Sequence, residues 1–95
     1  MKTTWTSGGV ARECTTTRNQ GENLTDFFAR HKAAVVSAMN TNPPDVGTEI
    51  KTTWALAAGG RMSLAHTYDG EETWENFLDS HLGKVWDAWE EYPPA

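Results

Sequence analysis

The sequence predicts an α+β fold: an internally duplicated ββα-ββα chain forming a four-stranded antiparallel sheet with two helices packed on one face. Three observations carry this. The tetrapeptide KTTW at 2–5 recurs at 51–54, and Phe27, His31, Val35, Ala38, Pro43 and Pro44 recur as Phe77, His81, Val85, Ala88, Pro93 and Pro94. Each KTTW opens a stretch of strand-forming residues interrupted by a Gly-Gly pair. Each half then closes with apolar residues spaced three and four apart. The offset is 49 at KTTW and 50 downstream, so one residue is inserted in the second hairpin's turn. A repeat of this length reads as duplication of one supersecondary unit, of the kind that arises from a symmetric dimer of half-length chains.

Strands are expected near 2–7, 10–18, 48–57 and 61–69. In the first hairpin, Gly8-Gly9 makes a two-residue turn, because both positions accept positive φ. Trp5, Val10, Arg12, Cys14 and Thr16 then share one face, and Thr4, Thr6, Glu13, Thr15 and Thr17 the other. The second hairpin is expected to turn through Ala58-Gly59-Gly60. Ile50, Trp54, Leu56, Met62, Leu64, His66 and Tyr68 then line one face, with Glu49, Lys51, Thr53, Ala55, Arg61, Ser63 and Thr67 opposite. A slip of one residue would scramble that separation, so the pattern supports the register.

Helices are expected near 24–41 and 74–91. Asn23 and Thr73 are suited to cap them, with Asp26 and Asn76 three residues on. The stripes are Leu24, Phe27, Phe28, His31, Val35, Ala38 and Met39 in the first, and Trp74, Phe77, Leu78, His81, Val85, Ala88 and Trp89 in the second. Pro43-Pro44 and Pro93-Pro94 follow the helix ends, where proline stops a helix. PPDVG links the halves. A lone hairpin with one apolar face is marginal in water. Joining two hairpins under two helices buries that face and leaves a solvated, Thr-rich one.

The 95 residues form a single domain, 1-95, made of repeats at about 1-45 and 48-95. Net charge is −5. It is uneven: residues 1–47 carry five basic and four acidic side chains, residues 48–95 three and nine. An acidic half disfavours a phosphate backbone, so nucleic acid is not the expected partner. The Thr-rich face with Lys2, Lys51 and Arg61 also lacks aromatics on which bases would stack. No apolar run is long enough for a membrane span. Met1-Lys2 runs into polar threonines, so no secretory signal is expected. The one cysteine, Cys14, excludes an intramolecular disulfide and a cysteine zinc cluster, and agrees with a cytoplasmic location.

Among residues able to carry chemistry, His31 and His81 fall at equivalent mid-helix positions inside the apolar stripes. One reading makes them core histidines bonded to a carbonyl, a Thr hydroxyl or water. The other places them around a ligand-binding cleft with His66 and the inward polar residues Arg12, Thr16 and Thr52, since a buried Arg12 would require an anion or carboxylate. No metal or cofactor is expected, because the spacing has no zinc signature and no phosphate-binding glycine motif is present. Cys14 with His31 would be a thiol nucleophile and its base only in spatial contact with an orienting third group. Its alignment with Leu64 favours a small buried hydrophobe. No catalytic constellation is identified.

Trp86 and Leu82 form a second apolar strip on the last helix, where the first helix has Val36 and Lys32. That asymmetry makes Leu82, Trp86 and Trp89 candidates for a partner interface; packing between the two helices is the alternative. The function expected is thus a small soluble binding or protein-interaction module, with a homodimer among its forms. The alternatives are a ligand-binding or enzymatic domain with a cleft around His31, His81 and His66, and an acidic antitoxin- or inhibitor-like regulator of a basic protein. In element order alone, a hairpin followed by a helix, each half is similar to the HicB-type antitoxin unit.

Overall fold

A computed structural model describes residues 1–95. The chain runs β1 (Lys2–Ser7), β2 (Val10–Thr15), α1 (Leu24–Thr41), β3 (Glu49–Ala55), β4 (Arg61–Thr67) and α2 (Trp74–Glu91). All pairings are antiparallel, and the sheet order is β2-β1-β3-β4. The first strands of the two hairpins therefore meet at the centre, with Thr3 directly opposite Thr52. Periodicity within single strands carries no information on this order, which is set by pairing between the hairpins. The α+β class with one four-stranded sheet and two helices is as expected. No helix is long and apolar enough to cross a membrane.

Both helices start and end where the stripes predict. The Asn23 side chain accepts the Asp26 N–H at 2.8 Å, and the Thr73 hydroxyl accepts the Asn76 N–H at 3.2 Å. Each far end is held by a tryptophan from a central strand. Trp5 Nε1 donates to the Asn42 carbonyl at 2.9 Å, and Trp54 Nε1 to the Tyr92 carbonyl at 3.2 Å. Asn42 and Tyr92 are the C-caps of α1 and α2. One indole thus fills the core with its body and ties down a helix end with its N–H.

β2, β3 and β4 are shorter than expected, whereas β1 keeps its expected limits. β2 stops at Thr15 rather than 18. Thr16 N–H still donates to the Met1 carbonyl at 2.9 Å. The following loop then closes on itself: Arg18 Nε donates to the Glu22 carbonyl and the Asn19 N–H to the Glu22 carboxylate, at 2.8 and 3.1 Å. β3 ends at Ala55 because the C-terminal segment takes over the next residues. Ala57 N–H donates to the Pro93 carbonyl, Ala95 N–H to the Ala55 carbonyl, and Leu56 bridges Pro94. In the second hairpin Leu56 N–H donates to the Gly60 carbonyl and Ala55 pairs with Arg61. The three-residue loop is therefore Ala57-Ala58-Gly59, one residue earlier than expected. The register moves by two, so every side chain keeps its face.

The first hairpin turns through Gly8 and Gly9, at φ 57° and 75°. Their N–H groups both donate to the Asp45 carboxylate, at 2.8 and 2.9 Å. The segment between α1 and β3 thereby clamps the turn, and these bonds hold the Asp45 carboxyl below its ordinary pKa. The expected inward face is correct except at Val10. That residue sits on an edge strand beside the turn and stays 51% exposed.

The core lies between sheet and helices: Trp5, Ile50 and Trp54 from the strands, Phe27, Val35 and Met39 from α1, Leu78, Leu82, Val85 and Trp89 from α2, and Tyr68 just beyond β4. Aromatic rings fill the gap between the helices. Phe28 meets Trp86 and Trp89 edge-on, with centroids 5.1 and 5.2 Å apart, and Phe27 lies 5.8 Å from Trp89. Leu82 and Trp89 belong to this core and are only 1% and 3% exposed. The expectation that these two offer surface to a partner is corrected: packing of α2 against its own sheet and α1 consumes them. Trp86 is half-buried.

Candidate functional site: a buried histidine–threonine chain

In the middle of this apolar layer lies a continuous line of polar side chains. Thr3 and Thr52 face each other across the β1/β3 seam, their hydroxyl oxygens 2.8 Å apart. His31 Nε2 lies 2.8 Å from the Thr3 hydroxyl, and His81 Nε2 lies 2.9 Å from that of Thr52. Each ring's other nitrogen faces outward along the sheet. His31 Nδ1 is 2.8 Å from the Thr16 hydroxyl, and His81 Nδ1 is 2.7 Å from His66 Nδ1. The order is Thr16–His31–Thr3–Thr52–His81–His66, running from the residue after β2 across the central strands to β4.

The sequence places these groups by simple periodicity. Thr3 is two residues before Trp5, and Thr52 two before Trp54, so each threonine shares its tryptophan's inward face. Cross-strand pairing then sets Thr3 opposite Thr52 at the seam. His31 and His81 lie four residues after Phe27 and Phe77, one helical turn on, on the side that faces the sheet. Thr3, Thr52, His31 and His81 are at most 1% exposed, and Thr16 is 6% exposed. His66 is half-buried at the β4 end.

Burial dominates the electrostatics. Desolvation, with the amino terminus of Met1 and the Arg30 guanidinium adding repulsion, lowers the His31 pKa to about 4. Desolvation, then His66 and Lys84, lowers that of His81 to about 4. His66 is also lowered, by burial and by Lys84. Both buried rings are thus neutral at pH 7, each carrying one N–H and one bare nitrogen.

Of the expected ligand-binding residues, His31, His81, His66 and Thr16 do come together, but around one another rather than around a cleft. His31 and His81 each have both ring nitrogens engaged by protein. This is the arrangement of core histidines satisfied by threonine hydroxyls, and His66 replaces a hydroxyl at one end. Arg12 is apart from the chain. It lies inward on β2 opposite Trp5, half-buried, and its Nε is buried with no hydrogen-bond partner.

Cys14 pairs in register with Thr3 and is half-buried. With Thr3 and Thr16 engaging both nitrogens of His31, that ring has no free nitrogen to accept a thiol proton. Burial also pushes the Cys14 pKa up, away from the thiolate that a nucleophile requires. No group of three histidine, cysteine or carboxylate side chains is placed to hold a metal.

Sequence reasoning missed Thr3. The Thr-rich character of the strands suggested a solvated face, yet Thr3 sits on the buried one beside Thr52, which was already expected inward. The signal was there in KTTW itself, whose second threonine has the lysine's parity and whose first has the tryptophan's. No family model, curated protein or solved structure matches this chain.

Proposed function

We propose that this chain is a small protein-interaction module that self-associates through the groove between α1 and α2. The observation that carries the reading is Trp86, a half-buried indole set edge-on to Phe28 in an open groove of about 600 Å³. Lys32, Asp79, Lys84 and Asp87 line the same groove. An aromatic floor within a charged rim is where protein interfaces concentrate binding energy. The rim carries both signs, so a second copy related by a two-fold axis can set Lys84 of one copy against Asp87 of the other. Lys32 already pairs with Asp79 within the chain. The single unpaired cysteine supports a cytoplasmic location.

We further infer that the two ββα halves descend from a duplication. The matching roles of Trp5 with Trp54 and of His31 with His81 support it. A duplicated unit first shares every side chain, and Trp86 in place of Val36 marks where the second half acquired a contact of its own.

Light scattering over a range of concentrations tests the proposal. The native chain is expected to reach the dimer mass. Trp86→Ala should weaken the association constant by tenfold or more while the monomer keeps its circular dichroism. Asp87→Lys, which leaves the aromatic cluster intact, should weaken it in the same direction. A monomer mass throughout would refute self-association.

A further inference from the structure

The hydrogens available along the buried chain restrict the directions its bonds can take. The contact between Thr3 and Thr52 needs one hydroxyl hydrogen between the two oxygens, which are 2.8 Å apart. If Thr3 donates to Thr52, then His31 must donate to Thr3 from Nε2, and its bare Nδ1 accepts from Thr16. Thr52 in turn donates to His81 Nε2, and His81 donates from Nδ1 to His66 Nδ1. Running the other way, His66 donates to His81 Nδ1, His81 Nε2 to Thr52, Thr52 to Thr3, and Thr3 to His31 Nε2. His31 then donates from Nδ1 to Thr16. In both arrangements His31 and His81 are opposite tautomers.

The remaining combinations fail. With both Nε2 atoms bare, each threonine donates to its own ring and no hydrogen is left for the seam. With both Nε2 atoms protonated, one threonine hydrogen is stranded where exposure is zero.

The two permitted arrangements are unequal. In the first, every buried hydrogen has an acceptor and the His66 N–H points toward the exposed end. In the second, the Thr16 hydroxyl already accepts from His31, and its own hydrogen has no place in the chain at 6% exposure. The first therefore prevails while His66 is neutral. A protonated His66 carries hydrogen on both nitrogens, so its Nδ1 can only donate, and the 2.7 Å contact to His81 Nδ1 then permits only the second.

We propose that the Thr16–His31–Thr3–Thr52–His81–His66 chain is a proton-operated switch, in which uptake of one proton at His66 reverses the direction of every hydrogen bond across the sheet. The balance is simple. His66 gains one proton from solvent, and the other five groups keep their number of hydrogens: those of His31, Thr3, Thr52 and His81 turn toward the opposite neighbour, and that of Thr16 leaves the chain. The equivalent end group, Thr16, does not titrate, so the chain is addressed from one end only. Around His66, β3 presents the uncharged Ile50 opposite it, with Glu49 and Lys51 on the far face, and α2 presents His81 and Lys84. At the other end, the charges that bear on His31 are the Met1 amino terminus and Arg30. This reading is independent of self-association.

Nitrogen-15 NMR of the three rings against pH tests it, since pyrrole-like and pyridine-like ring nitrogens are spectroscopically distinct. At neutral pH, His31 is expected as the Nε2–H tautomer and His81 as the Nδ1–H tautomer. As His66 takes up its proton, both should exchange tautomer with the same midpoint. Thr52→Val cuts the chain at the seam: His81 should still follow His66, and His31 should not. His66→Phe keeps a ring against His81 and should leave the His31 tautomer independent of pH over the same range. Like tautomers at His31 and His81, or a His31 tautomer that stays fixed while His66 titrates in the native chain, would overturn the proposal. The native titration decides even if neither variant folds.

Discussion

Trp54 is 2% exposed, and its indole N–H reaches the carbonyl that ends α2. Lys51, three residues earlier, points from the opposite face of the same strand into water. These two positions give the sharpest residue-scale contrast in the molecule. Trp54→Ala should cost roughly 3–5 kcal/mol, the range for deleting a large buried aromatic. Lys51→Ala should cost about 0.5 kcal/mol or less, as at most exposed sites. Urea melts of the two variants measure both, and the reverse ranking would mean that the sheet presents its other face to the helices. The same scale accounts for Leu82 and Trp89. Each is apolar and large, so the sequence shows that they will be covered. Whether the cover of Trp89 is α1 or another molecule depends on Phe28, which reaches across from α1 to Trp86 and Trp89.

Among the elements, the helices and β1 were legible to the residue and the other strands were not. A helix carries its own stop signals: a capping side chain at its start and a proline pair past its end. Asn23→Ala removes one of these and should destabilise the protein by about 1 kcal/mol, the usual value for a lost N-cap. Thermal unfolding of that variant checks it, and an unchanged midpoint would assign the start of α1 to packing instead. A strand ends where its partner stops pairing, which is a property of two segments. β3 gives up Leu56 and Ala57 to residues 93–95, far away in sequence, and no local pattern announces that. The second turn is also displaced, by one residue. The effect on the faces is nil because side-chain alternation has a period of two.

For the whole molecule, the two buried histidines make stability depend on pH. An unfolded histidine titrates near 6.5, and each folded ring titrates at about 4. The folded state binds fewer protons between those values, so the contribution is fully present above about 6.5 and is lost as pH falls toward 4. Each ring accounts for roughly 2–3 kcal/mol across that window. The urea midpoint should therefore drop steeply between pH 7 and 4.5. A midpoint that stays level over this range would show that the rings are hydrated rather than enclosed.

The sequence by itself determined the element order, the helix limits, the inward faces of the strands and the equivalence of His31 with His81. All of these follow from periodicity, capping and turn residues, which act over a few neighbouring positions. Tertiary structure decided the rest. Strand order brought β1 and β3 together, and only that placed Thr3 within hydrogen-bonding distance of Thr52. Two separate histidine–threonine pairs became one continuous chain as a result. The neutral rings, the opposed tautomers and the single titratable end at His66 all depend on contacts between residues 15 to 49 positions apart. A hydrogen bond and its desolvation are set by the distance between groups in space, and local sequence patterns do not encode that distance.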